Sequence, residues 1–202
     1  MKKLFLIAAA SALIGSAPLA LAAGDAAAGQ AKSAMCGACH GADGNSASAD
    51  FPKLAGQNAG YLYKQLAEFK SGARVNPTMQ GMVAALSDED MQNLAAYFAS
   101  QTPGKGEADP ALVKAGEALF RGGNLDTGVS ACSACHGVSG KGNEGAKFPA
   151  LAGQHAKYTE VQLLAFRSMA RANDPGQMMR GVAARMSDAE IKAIASYLQG
   201  LQ

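Results

Sequence analysis

The residues best equipped for chemistry lie in two short runs, "CGACH" at 36–40 and "CSACH" at 132–136. Each run sets two thiols three positions apart and an imidazole directly after the second. The chain has four cysteines, all of them in these runs. In an exported protein four cysteines can make two disulfides, and pairs of this spacing also serve zinc. Neither use needs the histidine that follows both times. Cys-x-x-Cys-His is the attachment site of a c-type haem. The two thiols bond to the two vinyl groups, and the adjacent imidazole reaches the iron. The expectation is two covalently attached haem c groups, held by Cys36 and Cys39 and by Cys132 and Cys135, with His40 and His136 as iron ligands.

The second axial ligand is found by comparing the two halves. Only three histidines exist, His40, His136 and His155. Two distal imidazoles are therefore not available, counting does not exclude lysine, and His155, which aligns with Asn58, reads as a surface or helix-start residue with a lesser chance of interface work. Methionine is testable because much of the chain is duplicated. "FPKLAGQ" (51–57) returns as "FPALAGQ" (148–154), and Tyr61, Gln65, Leu66 and Phe69 return as Tyr158, Gln162, Leu163 and Phe166. "GMVAALSD" (81–88) aligns on "GVAARMSD" (181–188). In that register Met79 falls on Met179, whereas Met82 falls on Val182, Met91 on Ile191 and Met186 on Leu86. A thioether ligand cannot be replaced by Val or Ile, but a core methionine can. Met79 and Met179 are thus the expected iron ligands. The unpaired methionines, Met82 among them, read as packing. The spacings from His to Met are 39 and 43 residues. Each chosen Met follows a Pro/Gly-bearing stretch ("NPTM", "NDPGQMM") and is expected in a loop.

Other duplicated residues could tune such sites. Pro52 and Pro149 follow the two histidines by 12 and 13 residues. Their carbonyls could orient the imidazoles through Nδ1–H, or they could be simple loop prolines. Arg74 and Arg171 could pair with haem propionates, for which guanidinium is well shaped, or stand on a solvated surface.

These residues must be carried by elements, and each half reads as three main helices. In the first, a small-residue helix over about 25–35 runs into the cysteines, a second covers about 58–71, and a third starts at Ser87 with a "SDED" capping box. Met91, Leu94, Ala95 and Phe98 fall on one face of the third helix. In the second half "DP" at 109–110 reads as an N-cap with proline at the first helical position, and "SDAE" at 187–190 repeats the capping box. No alternating strand pattern appears, so the fold class is all-α. The repeat, with a period near 97 residues, is too long for a solenoid and implies two tandem domains, 23–99 and 111–202. Between them "SQTPGKGEADP" (100–110) reads as a linker. The second half also carries nine extra residues, Arg121 to Val129, before its cysteines.

The first 22 residues read as a signal peptide: Lys2 and Lys3, an apolar stretch from Leu4 to Ile14, then "ALA" ending at Ala22. Export to the periplasm follows. Beyond them the chain has 16 basic and 16 acidic side chains, so no basic field for nucleic acid exists. Residues 23–108 hold 6 basic and 8 acidic side chains, and residues 109–202 hold 10 and 8. The positive surroundings predict the higher reduction potential for the second iron.

With twin Cys-x-x-Cys-His runs, twin methionines and the "FPKLAGQ…SDED…AAYF" pattern, the chain resembles the dihaem cytochromes c of the c4 family over nearly all of its length after residue 22. The resemblance implies two class I cytochrome c domains related by a pseudo-twofold, with haem propionates facing each other at the interface. It implies a monomer, soluble or peripherally attached in the bacterial periplasm. The family shuttles single electrons between redox partner proteins, typically from a bc1-type complex toward a terminal oxidase. Two other readings compete: a cytochrome subunit of a periplasmic dehydrogenase, and a dihaem peroxidase. The peroxidase needs an exchangeable ligand and acid–base groups, which two matched His/Met sites do not offer.

Overall fold

A computed structural model describes residues 24–202 of this chain. The signal peptide expected at residues 1–22 lies outside the described residues. Small residues at Ala26–Lys32 form α1, opened by Asp25, whose carboxylate accepts from the amides of Ala27 and Ala28. Helix α2 (Ala34–His40) follows across a break at Ser33. There the hydroxyl is buried and donates to Gln30 O. The single helix expected over 25–35 is therefore two. Helices α3 (Ala59–Ser71), α4 (Pro77–Val83) and α5 (Asp88–Ala99) complete the first half. The second half repeats them as α6 (Pro110–Gly122), α7 (Ser133–His136), α8 (Ala156–Arg167), α9 (Met178–Ala183) and α10 (Asp188–Gly200), with a 3₁₀ turn at Pro175–Gln177 before α9. Among the described residues there are no strands, only isolated bridges at Asn124–Val129 and Asn143–Phe148.

Both expected capping boxes form. Ser87 and Asp90 open α5, and Ser187 and Glu190 open α10. Asp109 caps α6, with Pro110 at its first position. In each half the first helix crosses the last, and the crossing is set by glycine. A Cβ on Gly29 would stand 2.0 Å from Asn93 O, and one on Gly116 would stand 2.4 Å from Ala193 O. No side chain fits there, which explains why "AG" recurs at 28–29 and 115–116. Each half has its own core. Leu62, Leu94, Ala95, Tyr97 and Phe98 form the first. Leu119, Phe120, Leu163, Ile191, Ile194 and Leu198 lead the larger second.

The extra residues from Arg121 to Val129 fold back on their own half. Asn124 and Val129 exchange backbone hydrogen bonds of 2.8 and 2.9 Å. Asn124 Nδ2 donates to Glu190 at the start of α10, and Arg185 donates to Gly128 O. Residues 100–110 are also tied down. Asn45 bonds Thr102 O and Gly104 N, and Gln199 donates to Glu107 O. Among the described residues no helix is long and apolar enough to cross a membrane.

Candidate functional site

Each Cys-x-x-Cys-His run ends a helix, because the following glycine, Gly41 or Gly137, takes a positive φ of 82° or 78°. The chain turns away at once and leaves the histidine at the helix end, buried at 8% and 6% exposure for His40 and His136. The four cysteines are unpaired. Burial pushes the Cys36 thiol up and the Cys132 thiol up to about 11. Among the described residues no group of three or more His, Cys, Asp and Glu is placed to hold a metal ion, so the zinc reading finds no partner set.

The two prolines are orienting groups. His40 Nδ1 lies 2.8 Å from Pro52 O, and His136 Nδ1 lies 2.9 Å from Pro149 O. A carbonyl only accepts, so Nδ1 carries the proton and donates, which leaves the Nε2 lone pair for a metal. Burial pushes both imidazoles below their usual pKa, against the opposing effect of these hydrogen bonds. The neutral, metal-binding form is thus favoured. Phe51 and Phe148 stand beside the rings at 6.2 Å between centroids in both halves.

Met79 and Met179 are both half-buried, but the structure corrects their setting. Both lie in the first turn of a short helix rather than in a loop. Asn76 caps α4 through an Oδ1 that accepts from Met79 N at 3.0 Å, and Pro77 sits at the first helical position. Asn-Pro was a helix-start signal. In the second half Gly176 and Gln177 take left-handed φ of 59° before α9 begins at Met178. The packing reading of the unpaired methionines holds for Met91 and Met186, both at 4% exposure. It fails for Met35, Met169 and Met178, at 61%, 67% and 43%. Met82 is half-buried.

The halves meet across an interface that the sequence reading mostly missed. Gln57 Nε2 donates to Ala150 O at 2.9 Å, and Ala150 N donates back to Gln57 Oε1 at 2.7 Å. Gln154 makes the mirror pair with Lys53, both at 2.9 Å. Asn58 Nδ2 donates to Phe148 O, and its counterpart His155 meets Ser46, at 2.9 Å from Oγ and 3.0 Å from O. The lesser reading of His155, interface work at a helix start, is the one observed. The repeat of "FPKLAGQ" as "FPALAGQ" marked Gln57 and Gln154, but each also accepts from the next residue's amide within its own domain, Asn58 N and His155 N, so the repeat alone did not point to an interface.

Arg74 and Arg171 also reach across. Arg74 donates to Gln65, Tyr158 and Gln162, and Arg171 donates to Gln162, Tyr61, Gln65 and Asn173. Each guanidinium also lies over a phenyl ring, Phe69 or Phe166, at 4.6 and 4.5 Å. Glu68 is the one carboxylate in this network, against Arg74, Arg171 and Lys64. Burial pushes the Tyr61 phenol up, but Arg171 and Arg74 outweigh it and hold the phenol below its usual range. Gln65 Oε1 is committed to Arg and Asn donors, and Gln65 Nε2 is a buried donor without a partner among the described residues. An excess of positive charge and a spare donor suit an acidic group. Together with the thiol pairs and the two oriented imidazoles, they fit two haem groups with carboxylate side chains.

The chain matches the family described as Cytochrome c twice, over residues 26–102 and 113–202. It is 54% identical to cytochrome c4 of Stutzerimonas stutzeri, over 93% of this chain and 94% of that protein. It is 47% identical to the thiosulfate dehydrogenase electron acceptor of Stutzerimonas stutzeri strain A1501, over 80% of this chain and 76% of that protein. Its fold matches the crystal structure of reduced recombinant cytochrome c4 from Pseudomonas stutzeri with a TM-score of 0.87 and 54% identity, covering 89% of this chain and 100% of that one. Two oriented haem-binding motifs on two tandem helical domains, joined by a polar interface, therefore place this chain in the cytochrome c4 family, whose members are electron-transfer proteins with two covalently attached haem c groups.

Proposed function

We propose that this chain is a periplasmic carrier, not an enzyme, that passes single electrons from a bc1-type complex to a terminal oxidase. The domains are 23–99 and 111–202, joined by 100–110. Cys36 and Cys39, and Cys132 and Cys135, hold the haems as thioethers. His40 with Met79, and His136 with Met179, would hold the two irons. When bound, each haem supplies an iron that exchanges one electron. With a thioether and an imidazole as its ligands, each iron would favour the reduced state and have a raised potential. The protein holds each imidazole neutral and oriented through a proline carbonyl, and keeps the halves docked through reciprocal glutamines.

The observation that carries this reading is the matching of the two sites. Each has a buried imidazole with Nδ1 on a proline carbonyl at 2.8 or 2.9 Å, and a methionine in the first turn of a short helix. A histidine and a methionine for each iron would suit electron transfer rather than substrate binding. The test is a redox titration followed by turnover with respiratory membranes. The expected result is two one-electron steps and rapid oxidation by membranes that contain the oxidase. A holoprotein that membranes neither reduce nor oxidise would refute the carrier reading.

One observation favours a second reading. The similarity to a thiosulfate dehydrogenase electron acceptor supports service as the dedicated acceptor of a periplasmic dehydrogenase. In that case a dehydrogenase co-purifies and reduces the protein directly, while membranes contribute only its oxidation.

A further inference from the structure

The two methionine helices are not held alike. Asn173, in the segment leading to α9, is tied across the interface to α3 of the other domain. Its Nδ2 donates to Glu68 Oε2 at 2.6 Å and to Gln65 Oε1 at 3.0 Å, and its carbonyl accepts from Lys64 Nζ at 2.8 Å. Lys64 and Glu68 also pair with each other at 2.7 Å. The next residue, Asp174, has a side chain only 3% exposed. Its carboxylate accepts from Arg180 N at 3.0 Å and Arg180 Nε at 2.7 Å. Arg180 directly follows Met179. A continuous path thus runs from α3, through Asn173 and Asp174, to the first turn of α9.

The other domain lacks this path. In the repeat register Lys64 and Glu68 of α3 correspond to Val161 and Ala165 of α8, neither of which can make such bonds with its side chain. Among the described residues no hydrogen bond joins Val75–Met79 to the second domain. Asn76 is exposed and caps only its own helix. The difference is therefore written both in the sequence of the facing helix and in the hydrogen bonds.

We infer that Lys64 and Glu68 of the first domain are positioning residues for Met179 of the second, so that domain docking secures one methionine ligand and not the other. The inference rests on the proposed Met79 and Met179 ligation. It gives the interface a role in electron transfer beyond adhesion: a partner that loosens the docked domains would act selectively on the second iron, through its sulfur ligand.

The test uses the oxidised holoprotein and cyanide, which takes the sixth iron position when a methionine sulfur leaves. Each axial methionine has its own haem-shifted methyl resonance, so the two sites are followed separately. In Lys64→Met with Glu68→Ala, cyanide should displace Met179 about a hundredfold faster than in the parent, because two charge-assisted hydrogen bonds to Asn173 are lost and each shifts an opening equilibrium by roughly tenfold. Met79 should be displaced at the parent rate, and Lys64→Arg with Glu68 intact should stay close to the parent. A parent with both resonances whose double variant accelerates both sites equally, or neither, or Met79 alone, overturns the inference. A parent without a haem-shifted Met179 methyl overturns the ligand assignment first and the inference with it.

Discussion

The reciprocal glutamines make the docking of the two domains measurable. In Gln57→Ala, Ala150 loses its partners for both N–H and C=O, at 2.7 and 2.9 Å. Asn58 N, at the start of α3, loses the acceptor it finds at 2.9 Å. Two neutral interdomain hydrogen bonds at a net value of about 1 kcal/mol each give about 2 kcal/mol of docking, roughly a thirtyfold change in the population of separated domains. The direct assay would watch Ala150, but that amide is exposed by the substitution itself. Lys53 N–H is the better reporter. It bonds Gln154 Oε1 at 2.9 Å, on the mirror side of the pseudo-twofold, and Gln57 does not touch it. If the domains open as bodies, hydrogen exchange at Lys53 should speed up about thirtyfold in Gln57→Ala. Gln154→Ala should produce the same change at Ala150. Acceleration at Ala150 alone in Gln57→Ala, with Lys53 at the parent rate, would refute the reasoning, because the bonds would then be local and not part of one docking equilibrium.

Met79→Ala should abolish about half of the weak sulfur-to-iron absorption at the red end of the spectrum and lower one reduction potential, whereas Met82→Leu should leave both nearly unchanged; loss of the band in the second variant would reverse the assignment. Gly29→Ala and Gly116→Ala each force a Cβ onto a backbone oxygen, at 2.0 and 2.4 Å, and should lower stability by about 1–3 kcal/mol through separation of the first and last helices, measured by denaturant titration of each domain. Lys32 and the Ser87 cap hold the Asp90 carboxyl down at about 2. Because that pKa is depressed in the folded state, its stabilisation is present above the unfolded value of about 4 and is lost as pH falls toward 2. Asp90→Asn should therefore flatten the acid limb of the stability profile over that window. A domain-resolved redox titration should place the second iron higher, because residues 109–202 carry 10 basic against 8 acidic side chains and residues 23–108 carry 6 against 8.

Local signals in the chain were enough for the helical class and the long helices, but not for the break at Ser33 or for the short helices that carry Met79 and Met179. Cys-x-x-Cys-His is a contiguous motif, and a capping box spans four residues, so both are readable without tertiary structure. The duplication added a comparison inside one chain. It separated Met79 from Met82, which composition and spacing leave alike, and it flagged Pro52 with Pro149 and Arg74 with Arg171. What the duplication could not supply was the purpose of a repeated residue. A polar residue recurs whether it caps a helix, faces solvent or crosses an interface. Only the packed domains showed that Gln57 and Gln154 grip each other's neighbouring chain, that His155 does the work of Asn58, and that Gly29 and Gly116 are crossing points. Asymmetry was hidden for the same reason. Lys64 and Glu68 against Val161 and Ala165 look like tolerated surface variation until Asn173 is seen between them. Bonds within an element depend on spacing along the chain, which the sequence displays. Bonds between domains depend on how two cores dock, and that is decided by surfaces assembled from residues about a hundred positions apart.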